Sequence, residues 1–254
     1  MACTNGWCRH NSLAYTPGVY FPWQVLRPRS VSWFFKGLRS WKSGNALECS
    51  LAANMLDYHY SIGGKCTDMN ETIRSILGRR SIRSYEPTAV EEEKIRAIVE
   101  CGQYAPSAMN RQPWHFTVVT NRKTLDKISE ANRQVMLKSE GERMKRVAED
   151  PDFDNFRGAP MAIIVSGEKE AGFAAADCAN AVQNMAVAAY SLGLGSCYIA
   201  SFRIALEKPE GAHLLRELGI PEGYEPLYAL TLGYGNETLG ERAPRREGTI
   251  TFIR

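Results

Sequence analysis

Residues 69–254 predict one compact α+β domain, and three observations carry that expectation. Segments with apolar residues at helical spacing alternate loosely with short, continuous apolar runs of strand length. One segment, 171–195, holds nine alanines and ends on Gly193 and Gly195, a composition suited to a helix packed closely against other helices or a partner chain. Residues 1–68, by contrast, keep neither period for more than a few positions.

The elements run in order along the chain. "NETIRSILGRR" (70–80) reads as a short helix with Ile73, Ile76 and Leu77 on one face and Asn70 or Thr72 near its cap. "TAVEEEKIRAIVECGQYAPS" (88–107) places acids in a first helical turn, Ile95, Ile98 and Val99 on an apolar face, and a stop between Gly102 and Pro106. "HFTVVT" (115–120) is a strand and "KTLDKISEANRQVMLK" (123–138) an amphipathic helix. "MAIIVSG" (161–167) is apolar without a break, as a strand buried on both faces would be. After the alanine-rich helix come strands at "SCYIAS" (196–201) and "PLYALTLGYG" (226–235), with the helix "GAHLLRELGI" (211–220) between them. "GTITFIR" (248–254) alternates like a strand and comes after a sheet that is already complete, so pairing with another subunit is expected.

Charge and cysteine content narrow the function classes. The chain carries 31 Lys/Arg and 28 Asp/Glu; residues 1–68 take seven and three of these, leaving 24 and 25 in 69–254. That balance gives no broad basic face for nucleic acid. Seven irregularly spaced cysteines with no CxxC argue against a disulfide framework or a zinc or iron–sulfur site, and for a reducing compartment; the expected location is the cytoplasm. No apolar run approaches the ~18 residues of a membrane span, so no membrane partner is expected. Residues 1–68 are read as a non-domain extension or a start placed too early, and Met69 as the natural opening of the domain. Cys101, Cys178 and Cys197 are read as small buried apolar residues, and His115 and His213 as ordinary core or surface histidines with no triad partner. Asp177, Asn180 and Asn184 share a helical face and suit hydrogen bonding in the interior or at an interface.

Two segments concentrate chemistry. "GRRSIRSYEP" (78–87) crowds Arg79, Arg80, Arg83, Ser81 and Ser84 together, which suits either a bound phosphate or a solvated turn. "APSAMNRQPWHF" (105–116) holds Ser107, Asn110, Arg111 and Gln112 between two prolines. Its amides offer both donors and acceptors, as the edge of a flat heterocycle requires, or else face water.

Together these segments resemble the nitroreductase family of FMN-dependent oxidoreductases, over essentially all of 69–254. The resemblance implies an α+β, three-layer fold, with a central mixed sheet flanked by helices in an intertwined homodimer. It implies that Arg79, Ser81 and Arg83 contact an FMN phosphate, with Arg80 on phosphate or ribityl. "APSAMNRQPW" is similar to the family's Pro-Ser-x-x-Asn-x-Gln-Pro-Trp loop, which implies Ser107, Asn110 and Gln112 around the ribityl chain and ring, lined by Pro106 and Met109. "SLGLGSCYIASF" implies Tyr198, Ile199, Ala200 and Ser201 near the ring, and "APRREG" implies Arg245 and Arg246 returning to the phosphate. The loop serves either its own flavin or the partner's. The implied activity uses NADH or NADPH to reduce nitroaromatics, quinones or another flat acceptor by a ping-pong mechanism, and no side chain is expected to act as a catalytic acid because flavin carries the redox chemistry. Reductive dehalogenation, flavin destruction, or flavin binding without turnover remain alternatives on the same fold. The polar segment 139–160 is the expected lid.

Overall fold

The computed structural model describes Ser61–Ile62, Lys65–Cys66 and residues 70–254. The extension 1–68 lies outside the described residues except for two two-residue strands, β1 (Ser61–Ile62) and β2 (Lys65–Cys66).

Within residues 70–254 four strands form one sheet: β3 (Trp114–Val119), β4 (Met161–Glu168), β5 (Gly195–Ile199) and β6 (Tyr224–Gly233), in the order β3-β4-β6-β5. All three ladders are antiparallel, with Ile163 opposite Leu230 at the centre and a register shift between Val165 and Ser166. The sheet is therefore antiparallel and not mixed as expected; the parallel pairing among the described residues is an isolated bridge, Ser81 to Ser196, outside the strands at the β5 edge. The last strand, β6, inserts between β4 and β5 and runs opposite to both.

Alternation along the strands sorts the core into two layers. Ile163 and Val165 of β4, with Leu230 and Leu232 of β6, face α2 (Glu92–Gln103) and α5 (Ala174–Ser191). Ala162 and Ile164, with Cys197, Ile199 and Ala229, face α3 (Arg122–Leu137) and α6 (Ala212–Glu217). The three-layer α+β arrangement is therefore the observed one. In α5 the buried positions Ala174, Cys178, Ala181, Val182, Met185 and Ala189 recur at helical spacing. The small side chains among them let the helix lie close to the sheet. Ala175 and Ala176 face away and are exposed in the single chain.

Two regions carry less of the core. α1 (Glu71–Gly78) is capped by Asn70, whose Oδ1 accepts from the Ile73 N–H at 3.0 Å, so Asn70 rather than Thr72 is the cap. Its apolar face, Ile73, Ile76 and Leu77, is exposed. Within 139–160, α4 (Glu142–Ala148) leads into a loop clasped by Asp154, which accepts from Ser129 Oγ, Arg122 Nη2 and the N–H groups of Phe156 and Gly158. Residues 249–254 form no strand within this single chain and are exposed.

Candidate functional site

The arginine-rich turn leaves α1 and runs along the β5 edge. Ile82 N–H donates to Ser196 O at 2.9 Å, and Asn236 N–H to Ser84 O at 2.9 Å, so both flanks of the turn are sewn to the sheet. Tyr85 locks its far end: the phenol donates to Ile82 O at 2.6 Å and meets Thr231 Oγ1 at 2.7 Å. Burial raises that phenol's pKa above its ordinary value, partly offset by the Thr231 hydrogen bond.

Beside this turn lies a cavity of about 280 Å³, walled by Arg79, Arg80, Tyr190, Gly195, Ser196 and Glu237 among others. Gly78 packs under Tyr190 at its rim: a Cβ there would stand 2.2 Å from the Tyr190 hydroxyl and displace that side chain. The Arg79 Nε is buried without a hydrogen-bond partner. Arg79 and Arg80 put two guanidinium groups on the cavity wall, and an anion there would be held by charge-assisted bonds. The residues present thus fit a phosphate. Glu237 also lines the wall, with its carboxylate turned onto the amides of Arg83 and Ser84. Arg83 itself is exposed and Ser81 half-buried.

The C-terminal segment returns to the same place through a residue the sequence did not single out. Arg242 Nη2 donates to Gly78 O at 2.6 Å and to Arg79 O at 3.1 Å. Arg80 Nη1 donates to Gly240 O. Arg245 instead turns to its neighbour Ala243 O, and Arg246 is exposed. The cue for Arg242 was its place three residues before Arg245, in the same basic stretch.

From Ser196 the β5 edge continues to Tyr198, which is 44% exposed and packs tilted against Tyr228 with ring centroids 5.0 Å apart. Burial, then the neighbouring Tyr228, raises the Tyr198 phenol's pKa above its ordinary value. Ile199 points into the core and offers only backbone, whereas Ala200 and Ser201 are exposed. Arg79, Ser196 and Tyr198 therefore share one edge of the sheet.

The loop 106–112 lies elsewhere. It leads into β3, the opposite edge strand, three interstrand spacings or roughly 14 Å away. It is tied to the first half of α5: Ala108 N–H donates to Asp177, and Asn180 Nδ2 to Pro106 O at 3.4 Å. Tyr190, at the cavity, is 13 residues further along that helix, or about 20 Å. Among the described residues no hydrogen bond joins this loop to 79–83 or 198–201. Met109, Asn110 and Gln112 all take left-handed φ, 55°, 53° and 50°, and Gln112 Nε2 donates to Asn110 Oδ1 at 3.1 Å.

Other residues have ordinary surroundings. His115 stacks edge-on to Tyr224. Cys178 and Cys197 are buried, but Cys101 is exposed, contrary to the sequence reading: it lies at the margin of the α2 face formed by Ile95, Ile98 and Gly102. Among the described residues no group of His, Cys, Asp or Glu is placed to hold a metal. No helix among them is long and apolar enough to cross a membrane.

The comparisons agree with this architecture. The model of the Nitroreductase family matches residues 76–234, and the chain belongs to that family. It is 37% identical over 185 residues to a Methanothermobacter thermautotrophicus protein named as a candidate NADH dehydrogenase/NAD(P)H nitroreductase, covering 71% of this chain and 85% of that one. It is 28% identical over 184 residues to the FMN reductase (NADPH) of Bacillus subtilis, covering 68% and 70%. The solved structure of a Bacteroides fragilis nitroreductase with bound FMN superposes with a TM-score of 0.70 at 34% identity, over 73% of this chain and all of that one.

Proposed function

We propose that this chain is an FMN-dependent oxidoreductase. It takes electrons from NADH or NADPH and delivers them to flat acceptors such as nitroaromatics or quinones, the donor and then the acceptor using one shelf in ping-pong fashion. The observation that carries the reading is the pair of guanidinium side chains, Arg79 and Arg80, lining a cavity of about 280 Å³ beside the turn. Family membership and the FMN bound to the Bacteroides fragilis relative support the cofactor. The names of the curated relatives support the nicotinamide donor.

Bound FMN would supply the two-electron chemistry; the protein supplies binding and orientation. Arg79 and Arg83 hold the phosphate through charge-assisted bonds, with Arg80 and Ser81 beside them. Tyr198, Ala200, Ser201 and the backbone of Ile199 form a shelf along the β5 edge. Arg245 and Arg246 approach the phosphate once the exposed tail is ordered by a second subunit. The loop carrying Pro106, Ser107, Met109, Asn110 and Gln112 serves the flavin of the partner, a reading supported by its distance from the Arg79 cavity.

The same surface supports a homodimer. Ile73, Ile76, Leu77 and Tyr190 are exposed near the cavity, and Ile250, Phe252 and Ile253 are exposed in the tail. An apolar surface of that extent is suited to a partner copy. Residues 69–254 then constitute the FMN-binding domain, with 1–68 not needed for it. The free thiols Cys101, Cys178 and Cys197 support a cytoplasmic setting.

Equilibrium titration with FMN and riboflavin tests the reading. FMN is expected to bind roughly ten- to a hundredfold more tightly, the worth of the charge-assisted phosphate bonds. Equal affinities would contradict it.

A further inference from the structure

Asp177 is 5% exposed and sits in the first turn of α5. Its two carboxylate oxygens accept from the Ala108 N–H at 3.1 and 3.2 Å. Its recorded partner is thus a backbone amide of the 106–112 loop, not a cation. A buried carboxylate is unfavourable unless its oxygens are bonded, so the contact constrains both ends. One helical turn on, Asn180 Nδ2 holds Pro106 O, and within the loop Ser107 Oγ accepts from the Gln112 N–H at 3.0 Å.

Between these ties the backbone adopts a form it would not choose. Met109, Asn110 and Gln112 are left-handed, and of the three only Asn tolerates that region well. Side-chain burial does not enforce it, because Met109, Asn110 and Gln112 are all exposed. The restraint therefore comes through the ties to α5. What the strained form presents is specific: with Gln112 Nε2 directed to Asn110 Oδ1, the Asn110 amide N–H groups and the Gln112 carbonyl remain as outward donor and acceptor.

We propose that Asp177 is a positioning residue: through the Ala108 N–H it holds the loop in its left-handed form, fixing Asn110 and Gln112 as one donor–acceptor edge for a flat heterocycle. The role rests on the reading of this loop as flavin-facing. Preorganisation of this kind lowers the ordering cost of binding without adding a contact.

The test compares the full chain with Asp177→Ala and Asp177→Asn. Backbone amide exchange over 104–114 and over the sheet is measured without flavin, and the same samples are then titrated with FMN. In Asp177→Ala, loop exchange is expected to rise roughly tenfold with the sheet unchanged, and FMN affinity to fall by a similar factor. Asp177→Asn keeps a carbonyl acceptor and is expected to recover most of both, leaving a rise of about threefold confined to the loop. That smaller, local rise also carries the test if the Ala variant does not fold. Parental loop exchange in both variants, protection lost equally in loop and sheet, or a loosened loop with unchanged FMN affinity would each overturn the proposal. A loosened loop in a protein whose parent binds no FMN would instead overturn the FMN reading and leave the restraint by Asp177 standing.

Discussion

At Arg79 the unpaired donor is Nε, while its backbone N–H is already bonded to Ser75 O. On the proposed reading, replacing Arg79 by Ala would remove a phosphate contact without breaking a visible side-chain hydrogen bond. FMN affinity is expected to fall about ten- to a hundredfold, with riboflavin affinity nearly unchanged, as fluorescence titration would show. Cys178 offers a second residue-level check. Burial, then the charge of Asp177, pushes its thiol pKa up to about 12. An alkylating reagent at neutral pH is expected to leave Cys178 unmodified in the folded protein, and modification before denaturation would contradict its placement. The arginine cluster was legible in the sequence because Arg79, Arg80 and Arg83 are neighbours in the chain. Arg242 was not, because its contact with Gly78 spans 164 residues and depends on how the tail folds back.

Among the elements, the 106–112 loop and the Asp154 clasp carry opposite kinds of energy. The loop stores strain, about 1–2 kcal/mol for each of Met109 and Gln112. Met109 is 80% exposed, so Met109→Gly loses little packing and is expected to raise stability by roughly 1 kcal/mol while loosening the loop. Calorimetry paired with FMN titration would separate the two effects. At Asp154 burial opposes ionisation, but the N–H groups of Gly158 and Phe156, then Arg122 and Ser129, hold the carboxyl below its usual range. A depressed carboxylate contributes stability above its unfolded pKa, near 4, and loses it as pH falls through the folded value. Asp154→Asn is expected to destabilise by about 1–3 kcal/mol near neutrality, with the gap narrowing below about pH 4. A gap independent of pH would contradict the ionised clasp. Helix α2 was readable from its period, β4 from an unbroken apolar run and α5 from its alanine content. The left-handed loop was not, because Met109 and Gln112 are not residues that signal positive φ.

For the molecule as a whole, the apolar face of α1 shows where reading one chain stops. Periodicity marked Ile73, Ile76 and Leu77 as a face but says nothing of what covers it, and among the described residues of the single chain it stays exposed. The tail 241–254 is likewise exposed, although Arg242 ties its start to the arginine-rich turn. If a second subunit covers both, truncation after Gly240 is expected to weaken dimerisation and FMN retention together. Sedimentation with flavin absorbance recorded alongside would show it, and a truncated chain that stays dimeric with full FMN would contradict it. A chain beginning at Met69 is expected to fold and bind FMN as the full chain does. Whether the molecule is a flavin enzyme or only a flavin binder is decided by anaerobic spectrophotometry. FMN-loaded protein is titrated with NADH or NADPH and then exposed to a nitroaromatic or a quinone. At least one nicotinamide is expected to bleach the flavin within seconds, and the acceptor to restore its colour. Persistent yellow with both nicotinamides would contradict turnover.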